Sequence, residues 1–163
     1  MKMESRKIQK IRKDMFLSVV LISFLIFLVS CNKNSKKLEN LLENTIISVS
    51  SSNDHSNKVV DLRKVYSFDW DVLYIFGKYT SVSQINEVIG FECTDCYEVP
   101  DATNLYLFVY EGGVTQKFLK EYSNYHFAMD WYGGYELTQK IEAAKSEFKI
   151  LNKETHFALI PVE

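Results

Sequence analysis

The sequence predicts an α+β fold, an antiparallel sheet of about four to five strands with two or three helices packed on one side. Three observations predict it. Runs rich in aromatic and β-branched residues indicate strands at 65–76 and 105–110. The turn Glu111-Gly112-Gly113 joins the second run to a third, which indicates an antiparallel hairpin. Elsewhere the apolar residues recur at helical spacing.

Composition and charge exclude several classes of protein. A chain of 163 residues suggests one domain, and 47% hydrophobic with 14% aromatic residues excludes a disordered chain. Three cysteines are too few for a disulfide-dense miniprotein. The residues before Cys31 carry a net charge of +4, from six basic and two acidic residues. Because the whole chain carries −2, the residues from Cys31 onward carry −6. An acidic body without a basic stripe predicts no nucleic-acid partner.

The N-terminal segment has the layout of a secretory signal. Residues 15–30 form a 16-residue run without a charge, shorter than the roughly 20 residues that a membrane-spanning helix needs. A basic segment precedes this run and a small residue ends it, so we expect residues 1–30 to be a signal peptide. The alternative is an uncleaved, single-pass signal anchor. Both place the body outside the cytoplasm.

The residues Leu28-Val29-Ser30-Cys31 resemble the lipobox of bacterial prolipoproteins. That resemblance implies that the thiol of Cys31 receives a diacylglyceryl group and that cleavage makes Cys31 the new N-terminus. The expected location is therefore the cell membrane or outer membrane, with the body lipid-anchored on the extracytoplasmic side.

Residues 31–57 are predicted to be a lipid-anchored tether that contains a short amphipathic helix. The segment is polar and ends in a Ser-Ser-Ser-Asn-Asp cluster. Four apolar residues at helical spacing indicate a helix over 35–48, with Ser35 as its N-cap: Leu38, Leu41, Leu42 and Ile46. This apolar face could pack on the body, lie on the membrane or bind a partner.

Residues 58–163 are predicted to form the single α+β domain. Its predicted elements, in order, are a strand at Val65–Phe76, a helix capped by Thr80 or Ser81 and ended by Gly90, strands at Leu105–Tyr110 and Val114–Glu121, a possible strand at Tyr125–Trp131, a helix at Glu136–Phe148 and a closing strand at Thr155–Pro161. The second half of the first strand is apolar on both faces, which predicts a central position in the sheet.

The strand Phe68-Asp69-Trp70-Asp71-Val72-Leu73-Tyr74-Ile75-Phe76, with the helix that ends at Gly90, resembles a pattern in small exported bacterial proteins of unknown function. The strand–helix–strand order is also similar to small envelope modules of the outer-membrane assembly lipoprotein and β-lactamase-inhibitor type. Those families mostly bind proteins, so the resemblance implies a binding role.

Cys93-Thr94-Asp95-Cys96 is the sharpest local motif. A disulfide, a pair of free thiols, a metal site and a redox site are all compatible with its spacing. Outside the cytoplasm a local disulfide is the default. The histidines of the sequence, His55, His126 and His156, lie singly and far apart, so no metal site and no cofactor are predicted.

Two further groups are candidates for function. On a strand, Asp69 and Asp71 would point to the same face, where paired carboxylates can act in acid–base catalysis. The alternative is that they lie at the solvated start of the strand. Six aromatic residues lie within residues 122–135. On a binding surface, we expect at least two of the following four to be exposed and adjacent: Tyr125, Trp131, Tyr132 and Tyr135. The alternative is that they fill the core.

These observations favour a non-catalytic binding or assembly module of the bacterial envelope. Its expected contacts are the membrane, through the lipid anchor, and an envelope or cell-surface protein. No catalytic residue is assigned. The alternative is a small envelope enzyme that uses Asp69 and Asp71, or Cys93 and Cys96.

Overall fold

The structure is a computed structural model that describes residues 36–51, 58–121, 124–129 and 138–162. The chain divides into two compact units, Met1–Lys36 and Lys37–Glu163. Apart from Lys36, all described residues belong to the second unit. The predicted signal peptide, Cys31 and Ser35 lie outside the described residues.

The described residues form three α-helices, eight strands and one 3-10 turn. The helices are α1 (36–51), α2 (Leu62–Val65) and α3 (Val82–Ile89), and the 3-10 turn is Ala143–Lys145. The strands are β1 (Val59–Asp61), β2 (Val72–Phe76), β3 (Thr103–Tyr110), β4 (Gly113–Glu121), β5 (Tyr125–Phe127), β6 (Thr138–Glu142), β7 (Glu147–Asn152) and β8 (Phe157–Pro161).

The strands form two sheets of four. Sheet 1 has the order β4-β3-β2-β6 and is antiparallel throughout. Sheet 2 has the order β1-β7-β8-β5, and only its β5–β8 pair is parallel. The predicted α+β class is confirmed, with helices and antiparallel sheet. The strands are divided between two sheets because β1, β7 and β8 pair among themselves rather than extend sheet 1.

Sheet 1 is buried on both faces because its two central strands are apolar on both sides. Leu73 and Ile75 of β2 enter an inner core, to which both sheets contribute, whereas Tyr74 and Phe76 enter an outer core. The outer core lies against α3 and includes Ile85 of that helix. This alternation confirms the central position predicted for β2.

Helix α3 begins and ends where its sequence predicts. The Ser81 hydroxyl accepts a hydrogen bond from the backbone N–H of Gln84, and the Gln84 side chain accepts one from the backbone N–H of Ser81. This capping box satisfies donors that the first turn leaves unpaired. Gly90 ends the helix in the left-handed conformation, with φ of 82°.

The β3–β4 hairpin has a tight turn at Glu111-Gly112, whose φ angles are 49° and 76°. Two successive positive φ angles are typical of the type I′ turn, whose twist matches that of the flanking strands. The predicted hairpin is therefore confirmed. Glu111 adopts this conformation although it is not a glycine, and its N–H donates to the carboxylate of Asp71 at 2.9 Å.

Helix α1 packs on the body, which was one of three possibilities for its apolar face. Leu42 and Ile46 are fully buried in the inner core, and Leu38 and Leu41 pack against it. On the flank of this face, the Glu43 carboxylate lies 2.7 Å from the ammonium of Lys120 on β4. The helix extends at least to residue 51, three residues beyond the predicted end.

Two predicted elements are wrong. The helix expected at Glu136–Phe148 is replaced in its described part by strand β6, the 3-10 turn and the start of β7. Its spacing is compatible with a helix, but β6 pairs along its whole length with β2, and this tertiary pairing overrides local propensity. The strand expected at Val65–Phe76 begins only at Val72, because Tyr66 and Trp70 fill the inner core from a loop.

Candidate functional site

The loop that follows α3 is closed by a disulfide between Cys93 and Cys96, whose Cα atoms are 5.4 Å apart. Cys93 and Val99 are buried in the outer core, which fixes the loop to the face of sheet 1. The backbone N–H of Cys93 donates to the side-chain oxygen of Asn86 on α3 at 2.9 Å. Of the alternatives for the Cys-x-x-Cys motif, the structure has the disulfide.

An ion pair ties the same loop to the strand below it. The ammonium of Lys117 on β4 hydrogen-bonds the carboxylate of Asp95, and this contact lowers the pKa of Asp95. Partial burial raises the pKa of the neighbouring Tyr97, and the Asp95 charge raises it further. The disulfide, the Asn86 contact and this ion pair hold the loop at three points.

A second loop, between β2 and α3, is joined to the first through the backbone. The N–H of Tyr79 donates to the carbonyl of Val99 at 2.7 Å, and the N–H of Val99 donates to the carbonyl of Thr80 at 3.0 Å. The Thr80 hydroxyl donates to the carbonyl of Gly77 at 2.7 Å. These bonds hold Tyr79 at a φ of 63°, which is unusual for a bulky residue.

The joined loops present two exposed aromatic side chains. Tyr79 is 58% exposed and Tyr97 is 42% exposed. The ammonium of Lys78 lies 5.5 Å from the centre of the Tyr79 ring and 3.6 Å from the carboxylate of Asp101. A hydrogen bond from Tyr79 lowers the pKa of Asp101, with a smaller contribution from Lys78. We call Lys78, Tyr79, Tyr97 and Asp101 the tyrosine surface.

The sequence did not predict the tyrosine surface, because the aromatic residues are densest elsewhere, at 122–135. Tyr79 stands between a strand and a helix N-cap, and Tyr97 directly follows the Cys-x-x-Cys motif. A sequence signal was present in those positions. An aromatic residue beside a turn or a disulfide is a candidate for exposure, although Tyr66 and Trp70 fill the core from a loop.

The predicted aromatic surface is wrong for Tyr125. Its side chain is only 6% exposed, because β5 turns Tyr125 and Phe127 toward the inner core. The Tyr125 and Tyr106 hydroxyl oxygens lie 3.4 Å apart within that core. The other three predicted members, Trp131, Tyr132 and Tyr135, lie outside the described residues.

The carboxylates of Asp69 and Asp71 do not share a strand face, because both residues precede β2. Both are exposed. Asp71 has a structural use: its carboxylate accepts the Glu111 N–H, and its backbone N–H donates to the carbonyl of Val109 at 2.8 Å. Asp71 therefore holds the β3–β4 turn against the start of β2.

The fold brings together two histidines that are thirty residues apart in the sequence. The ring centroids of His126 and His156 are 4.6 Å apart, at an interplanar angle of 48°. Partial burial and the neighbouring His156 ring lower the pKa of His126. Within the described ranges, no group of three or more His, Cys, Asp or Glu side chains could hold a metal ion.

Together the fold and the site define a small two-sheet α+β domain with two joined loops, one closed by a disulfide, that each expose a tyrosine. Comparison of the chain with protein-family models, with curated proteins and with solved structures finds no match. Among the residues that the structure describes, no helix has the length and apolar character needed to cross a membrane.

Proposed function

We propose that this protein is a lipid-anchored, extracytoplasmic binding module of the bacterial envelope, and that it contacts an envelope or cell-surface protein through the tyrosine surface. The observation that carries the binding role is the fixed loop pair that presents Tyr79 and Tyr97 to solvent. Tyrosines are enriched among the residues that dominate binding energy at protein interfaces.

The rigidity of the two loops supports this role. A surface that is ordered before binding loses less conformational entropy when it binds. Here the disulfide, the Asp95–Lys117 ion pair and the Tyr79–Val99 hydrogen bond restrict the loops in the free protein. A tyrosine ring also offers a large contact area with only two side-chain torsions to fix.

The proposed location is supported by two separate features. The lipobox-like residues Leu28 to Cys31 follow a segment with the layout of a secretory signal. The Cys93–Cys96 disulfide is of a kind that persists in oxidising compartments and is rare in the cytosol. Both features favour a body that faces away from the cytoplasm.

Replacing Cys31 with alanine should abolish incorporation of a radiolabelled fatty acid and leave the precursor uncleaved, because no thiol then accepts the diacylglyceryl group. The measurement is labelling in a bacterial host, with the mass of the purified protein read in parallel. The matched control is the Cys93→Ser/Cys96→Ser double variant, which should still be labelled. A wild-type chain that retains residues 1–30 and carries no lipid would instead support the signal anchor.

A photo-crosslinking amino acid placed at Tyr97 should give a discrete adduct with one membrane-associated protein in intact cells. The additional substitution Tyr79→Ala should reduce that adduct, because it removes the other exposed aromatic ring of the tyrosine surface. The control places the same crosslinker at Lys149, an exposed position on sheet 2. Equal adducts at positions 97 and 149, or an adduct insensitive to Tyr79→Ala, would contradict the proposed surface.

A further inference from the structure

We propose that His126 and His156 together bind one divalent transition-metal ion, with Zn²⁺ as the expected ion. The sequence argues against such a site, since its histidines are far apart in the chain. The parallel pairing of β5 with β8 removes that objection. The proposal is independent of the tyrosine surface, which is built on the loops around sheet 1.

Strand geometry places the His126 imidazole on the outward face of sheet 2, and the contact between the two rings places His156 beside it. Tyr125 and Phe127 of β5 point into the inner core, so His126 between them points outward. On β8, Leu159 lies in the same core and Phe157 packs against it. His156 directly precedes β8, and its ring lies against that of His126. The register confirms the proximity, because Tyr125 pairs with Phe157.

The residue directly opposite His126 is Ala158. Its side chain is only a methyl group, and the His156 ring reaches diagonally past it to the His126 ring. A larger side chain at position 158 would stand between the two rings. The small residue thus accounts for the 4.6 Å contact between residues that are not directly paired.

The ring separation fits a shared metal ion. With Zn–N bonds of about 2.0–2.1 Å, two imidazoles arranged tetrahedrally have their centroids about 5 Å apart. The observed separation is 4.6 Å, and the rings are tilted by 48° instead of stacked flat.

A hydrogen bond fixes one of the two rings. The hydroxyl of Thr155 lies 2.9 Å from Nδ1 of His156. When Nδ1 donates to this hydroxyl, Nε2 carries the lone pair that binds a metal ion, which is the arrangement that orients most metal-binding histidines. The turn between β7 and β8, which carries His156, is closed by a hydrogen bond from the Lys153 N–H to the His156 carbonyl at 2.9 Å.

Imidazole binds metal ions only in its neutral form. Two protein ligands leave the remaining coordination positions to water or to a side chain of a bound partner. Imidazole pairs suit Zn²⁺ and Cu²⁺, and Cu²⁺ has the higher intrinsic affinity of the two.

The test is isothermal titration of the full chain, in detergent at neutral pH, with Zn²⁺ and separately with Cu²⁺. We expect one ion per chain, with Cu²⁺ binding more tightly. His126→Ala and His156→Ala should each weaken binding at least about tenfold, since even loss of a group that only orients a ligand costs that much. Both variants should retain the wild-type circular dichroism spectrum.

Two matched controls remove the third histidine of the sequence and the cysteine that is not in the disulfide. His55→Ala and Cys31→Ser should leave the affinity unchanged. Paramagnetic broadening by Cu²⁺ provides a readout without substitution, and it should be strongest for residues 124–127 and 155–158. Absence of saturable binding, or binding that survives the double variant His126→Ala/His156→Ala, would overturn the proposal.

Discussion

Phe108→Ala should lower the free energy of unfolding by about 3–5 kcal/mol, the range for removing a buried aromatic ring from a core. Phe108 lies on β3 with no exposed surface. Its ring makes edge-on contacts with three other rings, those of Tyr66 at 4.8 Å, Phe68 at 4.9 Å and Trp70 at 5.6 Å between centroids. Truncation removes all three contacts at once and leaves a cavity.

The effect is expected to be large because the partners of Phe108 are not held by strand pairing. Tyr66, Phe68 and Trp70 lie in the segment between α2 and β2. Backbone hydrogen bonds hold this segment at its two ends, Tyr66 and Asp71, and its rings pack on Phe108 between them. The loss of Phe108 should therefore loosen the connection as well as create a cavity. Equilibrium urea unfolding, followed by circular dichroism, measures the change.

Two controls separate this effect from general disturbance. Phe108→Leu keeps most of the apolar volume and should be clearly less destabilising than alanine. Tyr97→Ala removes a half-exposed ring and should change stability by no more than about 0.5 kcal/mol. A Phe108→Ala variant as stable as Tyr97→Ala would show that the ring cluster does not hold this region.

Local patterns predicted the elements whose cause is local. The cap before α3, its end at Gly90 and the turn at Glu111-Gly112 each depend on a few consecutive residues. The sequence predicts the cap as Thr80 or Ser81 and the turn as Glu111-Gly112-Gly113, and it predicts the end at Gly90. The apolar face of α1 was readable too, because a stripe at helical spacing needs a surface to cover it. Here that surface is the inner core.

The division into two sheets was not readable, because it depends on pairing between distant segments. Val60 of β1 lies opposite Phe148 of β7. The parallel pair of β5 and β8 likewise has no turn to signal it, in contrast to the β3–β4 hairpin. An apolar pattern predicts that one face of a strand is buried, but it does not predict which strand pairs with it.

The candidate sites show the same limit. Tyr125 and Tyr97 are the same residue type, yet one is buried by a three-residue strand and the other is exposed beside a disulfide. Residue type predicted an aromatic binding surface, but exposure depends on the backbone that carries each ring. The His126–His156 contact exists only because two strands from distant parts of the chain are neighbours.

Glu43→Ala should destabilise the domain by about 3 kcal/mol, the lower end of the range for breaking a buried ion pair. The Lys120 side chain is only 7% exposed, and its ammonium lies 2.7 Å from the Glu43 carboxylate, whose side chain is 26% exposed. Without Glu43 this ammonium is buried opposite an uncharged methyl group. Because Glu43 lies on α1 and Lys120 on β4, the pair joins the helix to sheet 1.

The double variant Glu43→Ala/Lys120→Met should recover most of that loss, because methionine fills the site without a charge. The matched control Asn44→Ala truncates the adjacent, exposed side chain of α1 without removing a charge. It should stay within about 0.5 kcal/mol of wild type. Urea unfolding measures all three variants.

Trypsin cleavage at Lys36 and Lys37 reports on the attachment of α1, because both residues lie in the first described turn of that helix. Faster cleavage in Glu43→Ala, but not in Asn44→Ala, is expected if the ion pair holds the helix on the body. Equal stability and equal cleavage in the two single variants would mean that the apolar face of α1 alone docks the helix. The buried charge pair would then contribute nothing to its attachment.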